Sequence, residues 1–174
     1  FAILIRGEDA RKLNIKNISD AARVSAQWHA GFGQDFMSRP DGYPGFAQVY
    51  GFHFQEIREM DLSLTYRALA ERQVDLIAGN STDGLISRYR LVQLEDDRRY
   101  FPPYDAVPVV RRTTLDKHPE LSEVLRRLGG ILTVEEMRKL NYSVDGEKRQ
   151  AKDVVREFLI QKGFIAEKDL AQQK

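Results

Sequence analysis

Asn80-Ser81-Thr82-Asp83-Gly84 sets a polar, turn-forming block directly behind the apolar run 74–79. Further on, Phe101-Pro102-Pro103-Tyr104-Asp105 places an aromatic ring on a double-proline corner. Proline fixes φ and removes a donor, so such a corner holds its neighbours stiffly. Both stretches can present side chains to one cleft. The chemistry open to them is ligand recognition rather than catalysis.

Bond-making chemistry lacks its parts. Ser25, Ser81 and Thr82 have no small-residue elbow of the hydrolase kind around them. His29, His53 and His118 are the three histidines, none at i, i+4 from another, and a structural or solvated role is expected for each. Glu95-Asp96-Asp97 could supply acid/base groups or a divalent site. Adjacent side chains alternate in direction along an extended chain, however, which favours a solvated turn. Gly31-Phe32-Gly33 lacks the third glycine and the lysine of the nucleotide fingerprints. With no cysteine there is no disulfide, thiolate ligand or Cys nucleophile. No enzyme mechanism, cofactor or metal is expected.

Arg39 lies in Arg39-Pro40-Asp41-Gly42-Tyr43-Pro44-Gly45, where two prolines and two glycines within seven residues predict a structured loop. A guanidinium held out from such a loop can fork onto a carboxylate. It can equally be a solvated surface arginine, and the local sequence leaves both open. Among the aromatics Phe1, Tyr43, Tyr50, Tyr100, Phe101 and Tyr104, most are expected in the core as large apolar payload.

Composition bounds the rest. The chain has 174 residues, 42% of them hydrophobic, enough for one domain or two small lobes with a buried core. Twenty-seven Lys+Arg against 26 Asp+Glu leave a net charge of +1, so no general field draws nucleic acid or an anionic membrane. No apolar stretch approaches the roughly 20 residues needed to span a bilayer. The chain opens at Phe1 inside an apolar run with no initiator Met, and is expected to be a processed, trimmed or dissected product.

The elements that must position the polar blocks alternate as in α/β proteins. Residues 1–6 and 74–79 read as buried strands. Asp61–Glu71 predicts a helix, with Asp61 able to cap it and Leu62, Tyr66 and Leu69 on one face. Strand, helix, strand from about Phe52 to Asn80 forms a βαβ unit, for which a right-handed crossover is expected. Asn80 then sits at a strand's carboxyl end, where open α/β sheets bind ligands. Residues 106–110 look like one more buried strand, followed by three helices. Leu121, Val124, Leu125 and Leu128 form one stripe, and Val154, Val155, Phe158 and Leu159 another. Thr133 with Glu136 fits a capping box, Gly129-Gly130 and Gly163 stop helices, and the tail 167–174 is polar enough to fray. The composition changes near Ser87–Asp97, where two lobes are expected to join.

Arg39-Pro40-Asp41-Gly42-Tyr43-Pro44-Gly45, Tyr50-Gly51-Phe52, Met60-Asp61, Tyr66-Arg67-Ala68-Leu69, Ser81-Thr82-Asp83-Gly84, Leu94-Glu95-Asp96-Asp97, Phe101-Pro102-Pro103-Tyr104-Asp105, His118-Pro119-Glu120-Leu121 and Leu140-Asn141 follow one another across nearly the whole chain. In these blocks and their order the chain resembles the substrate-binding proteins of the glycine betaine, carnitine and choline class of ABC importers. The resemblance implies an α/β type II periplasmic-binding-protein fold and an interlobe cage of aromatic rings around a quaternary ammonium. It implies that Arg39 holds the ligand carboxylate and that Tyr104 is a cage wall. Phe1 stands at a further tyrosine position, keeping the ring but losing the hydroxyl. Asn80 stands at another, directly before Ser81 and Thr82, which complete the expected ligand-binding set.

The substitution at Asn80 has an energetic meaning. A cation over an aromatic face gains roughly 0.5–2 kcal/mol, and an amide offers no such face. Asn80 offers a donor and an acceptor instead, which suits a ligand with more polar edges. The implied function is the solute-binding component of an ABC importer, exported to the outer face of the cytoplasmic membrane. It would deliver glycine betaine, choline, carnitine or a larger betaine such as ergothioneine to a membrane permease. The alternative is a ligand-sensing domain on the same fold.

The resemblance also divides the chain. Residues 1–88 correspond to a complete second lobe carrying cleft residues, and 89–174 to the crossover strand and C-terminal helices of an incomplete first lobe. An exposed apolar surface, or an intermolecular contact covering it, is expected on the C-terminal half.

Overall fold

β1 (Ala2–Arg6) reads Ala-Ile-Leu-Ile-Arg and is buried at every position, the pattern of a strand covered on both faces. Successive side chains point to opposite sides, so Ile3 and Ile5 enter one core while Ala2 and Leu4 enter the other. The computed structural model describes residues 1–166, which fall into two compact units, one spanning Phe1–Pro102 and the other beginning at Pro103.

After β1 the first unit runs α1 (Gly7–Lys12), α2 (Ile18–Val24), β2 (His29–Phe32), α3 (Gln34–Ser38), α4 (Tyr43–Tyr50), β3 (Glu56–Glu59), α5 (Leu62–Ala70), β4 (Leu76–Gly79), α6 (Leu85–Arg88) and β5 (Leu91–Gln93). One five-stranded sheet, in the order β3-β2-β4-β1-β5, carries them. β2 pairs in parallel with β3 and with β4, whereas β1 is antiparallel to both β4 and β5. The expected βαβ unit is present as β3-α5-β4, its crossover passing over β2. Asp61 is the N-cap of α5, but its side chain makes no capping bond.

An aromatic layer covers one face. Phe46 of α4 is fully buried and its ring meets those of Phe36, Tyr50, Phe52, Tyr100 and Phe101 at centroid separations of 4.8–6.2 Å. Phe52 stacks in turn on Phe54 at 5.0 Å. Tyr66, Leu69, Val74 and Ile77 fill the other core. The predicted loop at 39–45 is shorter than expected, because Tyr43, Pro44 and Gly45 already form the first turn of α4. Proline suits that position, since its missing N–H would have no helical partner. Gly42 ends the turn before it, where a Cβ would lie 2.0 Å from the Phe36 carbonyl oxygen.

Arg6 ties the strands to the helices below them. Its guanidinium donates to the Leu69 carbonyl at 2.9 Å, the Val74 carbonyl at 2.5 Å, Asp75 Oδ1 at 2.7 Å and the Asp9 carboxylate. Asp75 Oδ2 also accepts the His29 N–H at 3.0 Å, which adds the start of β2 to the network.

The division between the units falls after Pro102 rather than within 87–97. Leu91–Gln93 is hydrogen-bonded to β1, and Glu95-Asp96-Asp97 is bound into the first unit as well. Asp97 accepts the Ser19 N–H at 3.2 Å at the start of α2, while Asn17 and Asp20 form a capping box there.

In the second unit the expected strand at 106–110 is absent. Residues 103–111 carry no regular structure, with Val107 68% and Val109 92% exposed. Pro108 supplies no N–H donor, and among the described residues no strand pairs with this segment. Among the described residues, helices α7 (Arg112–Lys117), α8 (Glu120–Arg126), α9 (Val134–Asp145) and α10 (Ala151–Gln161) follow, four where three were expected. The α8 stripe is not buried, since Val124 and Leu128 are exposed. On α10, Val154 and Phe158 are buried while Val155 is exposed. Exposed apolar side chains are present on this half, as they are at Leu13, Val24, Val49, Leu62 and Leu64 of the first unit. Gly163 ends α10 at φ 74°, a left-handed conformation that costs glycine little. The tail 167–174 lies outside the described residues.

Thr133 and Glu136 form the expected capping box at α9. Glu136 also accepts from Lys162 Nζ at 2.7 Å, joining α9 to the end of α10. The Lys162 hydrogen bond, and next the Thr133 N–H, hold the Glu136 carboxyl down at about 2. A folded-state value below the unfolded one of 4.5 stabilises fully above pH 4.5, and that stabilisation is lost as pH falls through about 2. An NMR titration of the Glu136 carboxyl should show its midpoint near pH 2, and Lys162→Met should move it upward toward the ordinary range. An unmoved midpoint would show that the ion pair is not formed in solution.

Candidate functional site

The parallel strands β2, β3 and β4 all end at one edge of the sheet, and antiparallel β1 begins there. At that edge lies a cavity of about 580 Å³, within the range of small-molecule sites. Gly33–Phe36 follow β2 into its wall, Glu59–Leu62 with Leu64 follow β3, Ala78–Asn80 close β4, and Phe1 enters β1. This is the carboxyl-end position at which open α/β sheets take ligands.

Of the residues singled out from the sequence, Phe1 and Asn80 are on the cavity wall. The Phe1 ring stands edge-on to Phe36 at 5.0 Å and to Phe101 at 6.0 Å, so the aromatic layer fixes its attitude. Arg39 is the C-cap of α3, with its guanidinium carbon 5.4 Å from the Phe1 ring centroid. Its Nε and Nη2 both donate to Asp41 at 2.8 Å, a bidentate fork onto a carboxylate of its own loop. The guanidinium thus forks onto a carboxylate two residues along its own loop, and both groups are partly exposed. Ser81 and Thr82 lie half-buried in the turn after Asn80 and do not line the cavity. Tyr104 belongs to the second unit and is 56% exposed.

The turn after β4 is braced by Asp83. Its Oδ2 accepts the Asn80 N–H at 2.9 Å and the Tyr66 hydroxyl at 2.5 Å, and its own N–H donates back to the Asn80 carbonyl at 3.1 Å. Tyr66 is buried, so a surface turn is anchored to the core beneath α5. Space for this exists because residue 79 is glycine. A Cβ there would lie 2.1 Å from the Tyr66 hydroxyl oxygen. Gly79→Ala should cost about 1–3 kcal/mol as an overpacked core position. In that background Tyr66→Phe should recover part of the loss, whereas in the parent it should cost stability. A double-mutant cycle of urea midpoints checks the sign, and strict additivity would show that the two groups do not meet.

Within the acidic triplet Glu95 and Asp97 are exposed, as expected of a solvated turn, but Asp96 is structural. Asp96 accepts the Tyr50 hydroxyl, the Tyr100 N–H at 3.0 Å and the Phe101 N–H at 2.9 Å. The Tyr50 hydroxyl takes the Arg98 N–H at 2.9 Å. Burial, and then the Asp96 acceptor, push the Tyr50 phenol well above its ordinary value, so it stays a donor. This network sets Tyr100 and Phe101 against α4, with the Tyr100 hydroxyl donating to the Gly42 carbonyl at 2.9 Å. Among the described residues no group of three His, Cys, Asp or Glu could hold a metal.

The sequence reading missed Asp35, Glu59, Asp61, Leu62 and Leu64 on the cavity wall. Their signal was positional: each follows the carboxyl end of a strand, and the strands at 29–32 and 56–59 are too short and too polar to announce themselves.

The match to known proteins follows this geometry. Residues 1–161 match the family model described as the substrate binding domain of the ABC-type glycine betaine transport system. The carnitine transport binding protein OpuCC of Listeria monocytogenes is 38% identical over 97% of this chain and 55% of its own length. The ergothioneine transport permease/ergothioneine binding protein EgtU of Helicobacter pylori is 34% identical over 94% of this chain and 30% of its own length. A solved structure described as a glycine betaine/carnitine/choline ABC transporter superposes with a TM-score of 0.81 and 38% identity, covering 92% of this chain and 59% of that one. The chain thus spans about half the length, or less, of the relatives it matches. Its fold is of the periplasmic-binding-protein type, and the chain belongs to the family of substrate binding domains of ABC-type glycine betaine transport systems.

Proposed function

We propose that this chain binds a quaternary-ammonium or related zwitterionic solute for delivery to an ABC permease, working at the outer face of the cytoplasmic membrane. The observation that carries this reading is the cavity at the strand carboxyl ends, with Phe1 and Asn80 on its wall, in a chain of this family. Phe1 would offer a ring face to the ammonium. Arg39, poised beside Phe1 in a bidentate fork, would exchange Asp41 for the ligand carboxylate or share itself between the two. Ser81 and Thr82 would add hydroxyl groups near the mouth, and Tyr104 a further aromatic wall, a role that rests on the family resemblance. Binding of this kind needs no bond-making step, and no residue is assigned a catalytic role.

Calorimetry with glycine betaine, carnitine, choline and ergothioneine tests the reading. At least one should give saturable heat, and silence from all four would sink it. Phe1→Ala and Tyr104→Ala should each weaken the best ligand by about 2- to 30-fold, the worth of one cation-π face. Arg39→Ala should weaken the carboxylate-bearing ligands and leave choline little changed, because choline has no carboxylate to fork.

A further inference from the structure

Asn80 lines the cavity, and its neighbours in the fold bear on the hydrogen-bonding sense of its amide. Its Nδ2 lies 3.4 and 3.5 Å from the two oxygens of Asp83. Those separations are long for individual bonds, yet they orient the amide, because an ionised carboxylate can only accept. The flipped amide would set its carbonyl oxygen against that carboxylate. Asp83 is itself pinned by the buried Tyr66 hydroxyl and by the Asn80 N–H, so the reference charge cannot swing away with the side chain. The amide atom left for a ligand is therefore Oδ1, to which no group among the described residues donates.

The remaining charge on the wall points the same way. Asp35, Glu59 and Asp61 line the cavity, and no lysine or arginine side chain does among the described residues. A wall carrying three carboxylates beside the amides of Gln34 and Asn80 is matched by a ligand that carries a donor with positive or partly positive character. A wholly methylated ammonium has no N–H to give, and it would leave Oδ1 facing carbon.

Given the solute-binding role proposed above, we propose that Asn80 recognises its ligand through Oδ1, held as an acceptor by Asp83 and Tyr66, and that the site selects betaines bearing an additional N–H donor. Asn80 is then the specificity residue, and Asp83 and Tyr66 position it.

Calorimetry at pH 8 with three probes tests this: glycine betaine, histidine betaine, and histidine betaine methylated on the ring nitrogen. The last two differ by one N–H, since the neutral methylated ring has none. The expected result is about tenfold tighter binding of histidine betaine than of its ring-methylated counterpart, the discrimination of a site left with an unpaired acceptor. Asn80→Ala should abolish that preference. Tyr66→Phe should shrink it while leaving the affinity for glycine betaine in place, which a merely structural loss would not do. If the probes bind but the two histidine betaines do so equally, or glycine betaine alone binds, donor recognition is wrong and the solute-binding reading survives. Heat from none of the three would overturn donor recognition, and the solute-binding reading would then stand or fall with carnitine, choline and ergothioneine.

Discussion

Phe46→Ala should lower the unfolding free energy by about 3–5 kcal/mol, the range for truncating a fully buried aromatic. The upper half of that range is expected, because the five rings around Phe46 are themselves held by backbone and by hydrogen bonds and cannot collapse inward. Tyr50 and Tyr100 are tied to Asp96 and to the Gly42 carbonyl, and Phe52 stacks on Phe54. A gap opened at position 46 therefore stays open. The effect should reach the cavity, since Phe46 packs on Phe36 at 5.7 Å and Phe36 on Phe1 at 5.0 Å. Urea unfolding followed by Trp28, the single tryptophan and part of the same core, measures it. A loss below about 1 kcal/mol would mean that the layer repacks and does not hold Phe1 in place.

Arg6→Met should cost about 3 kcal/mol. Removing one partner of a buried ion pair typically costs 3–5 kcal/mol because the other charge is stranded. Here Asp9 and Asp75 keep 20% and 27% of their side chains exposed and can take up water, which favours the lower end. The Val74 carbonyl has no such recourse, since that residue is buried, whereas the Leu69 carbonyl still accepts the Arg72 N–H at 3.2 Å. Arg6→Lys should recover only part of the loss, because one ammonium cannot span four acceptors lying in different directions. Asp75→Asn should be milder, as an amide oxygen can still accept from His29. If Arg6→Met and Asp75→Asn prove equal, the ion pair with Asp75, and not the carbonyl contacts, carries the stability.

Local chemistry made several elements legible. β1 and β4 are short apolar runs that only a doubly covered strand needs, and both form where expected. The capping box at Thr133 and the glycine stop at Gly163 depend on neighbours within four residues, so they too were readable. Residues 106–110 failed because a strand is a relation to another strand. Ala-Val-Pro-Val-Val has the composition of one, but no described strand pairs with it. β2 and β3 went unannounced for the opposite reason, being polar or glycine-containing runs made into strands by their neighbours.

The site divides along the same line. The family blocks named Phe1, Arg39, Asn80, Ser81, Thr82 and Tyr104 as ligand residues, and the missing tyrosine at position 80 was visible as a change of chemistry from ring to amide. The resemblance implied those roles, while residue identity alone determined the donors, acceptors and π faces on offer, because these belong to side chains wherever they stand. Which atom of Asn80 is left to a ligand, which ring Arg39 stands over, and which carboxylates share the wall were decided only by tertiary structure. Each depends on groups distant in sequence: the Tyr66 hydroxyl under Gly79, the Phe1 ring beneath Arg39, and the ends of β2, β3 and β4 brought to one edge. Orientation and sign in a binding site are set by what surrounds a side chain, and those surroundings exist only once the chain has folded.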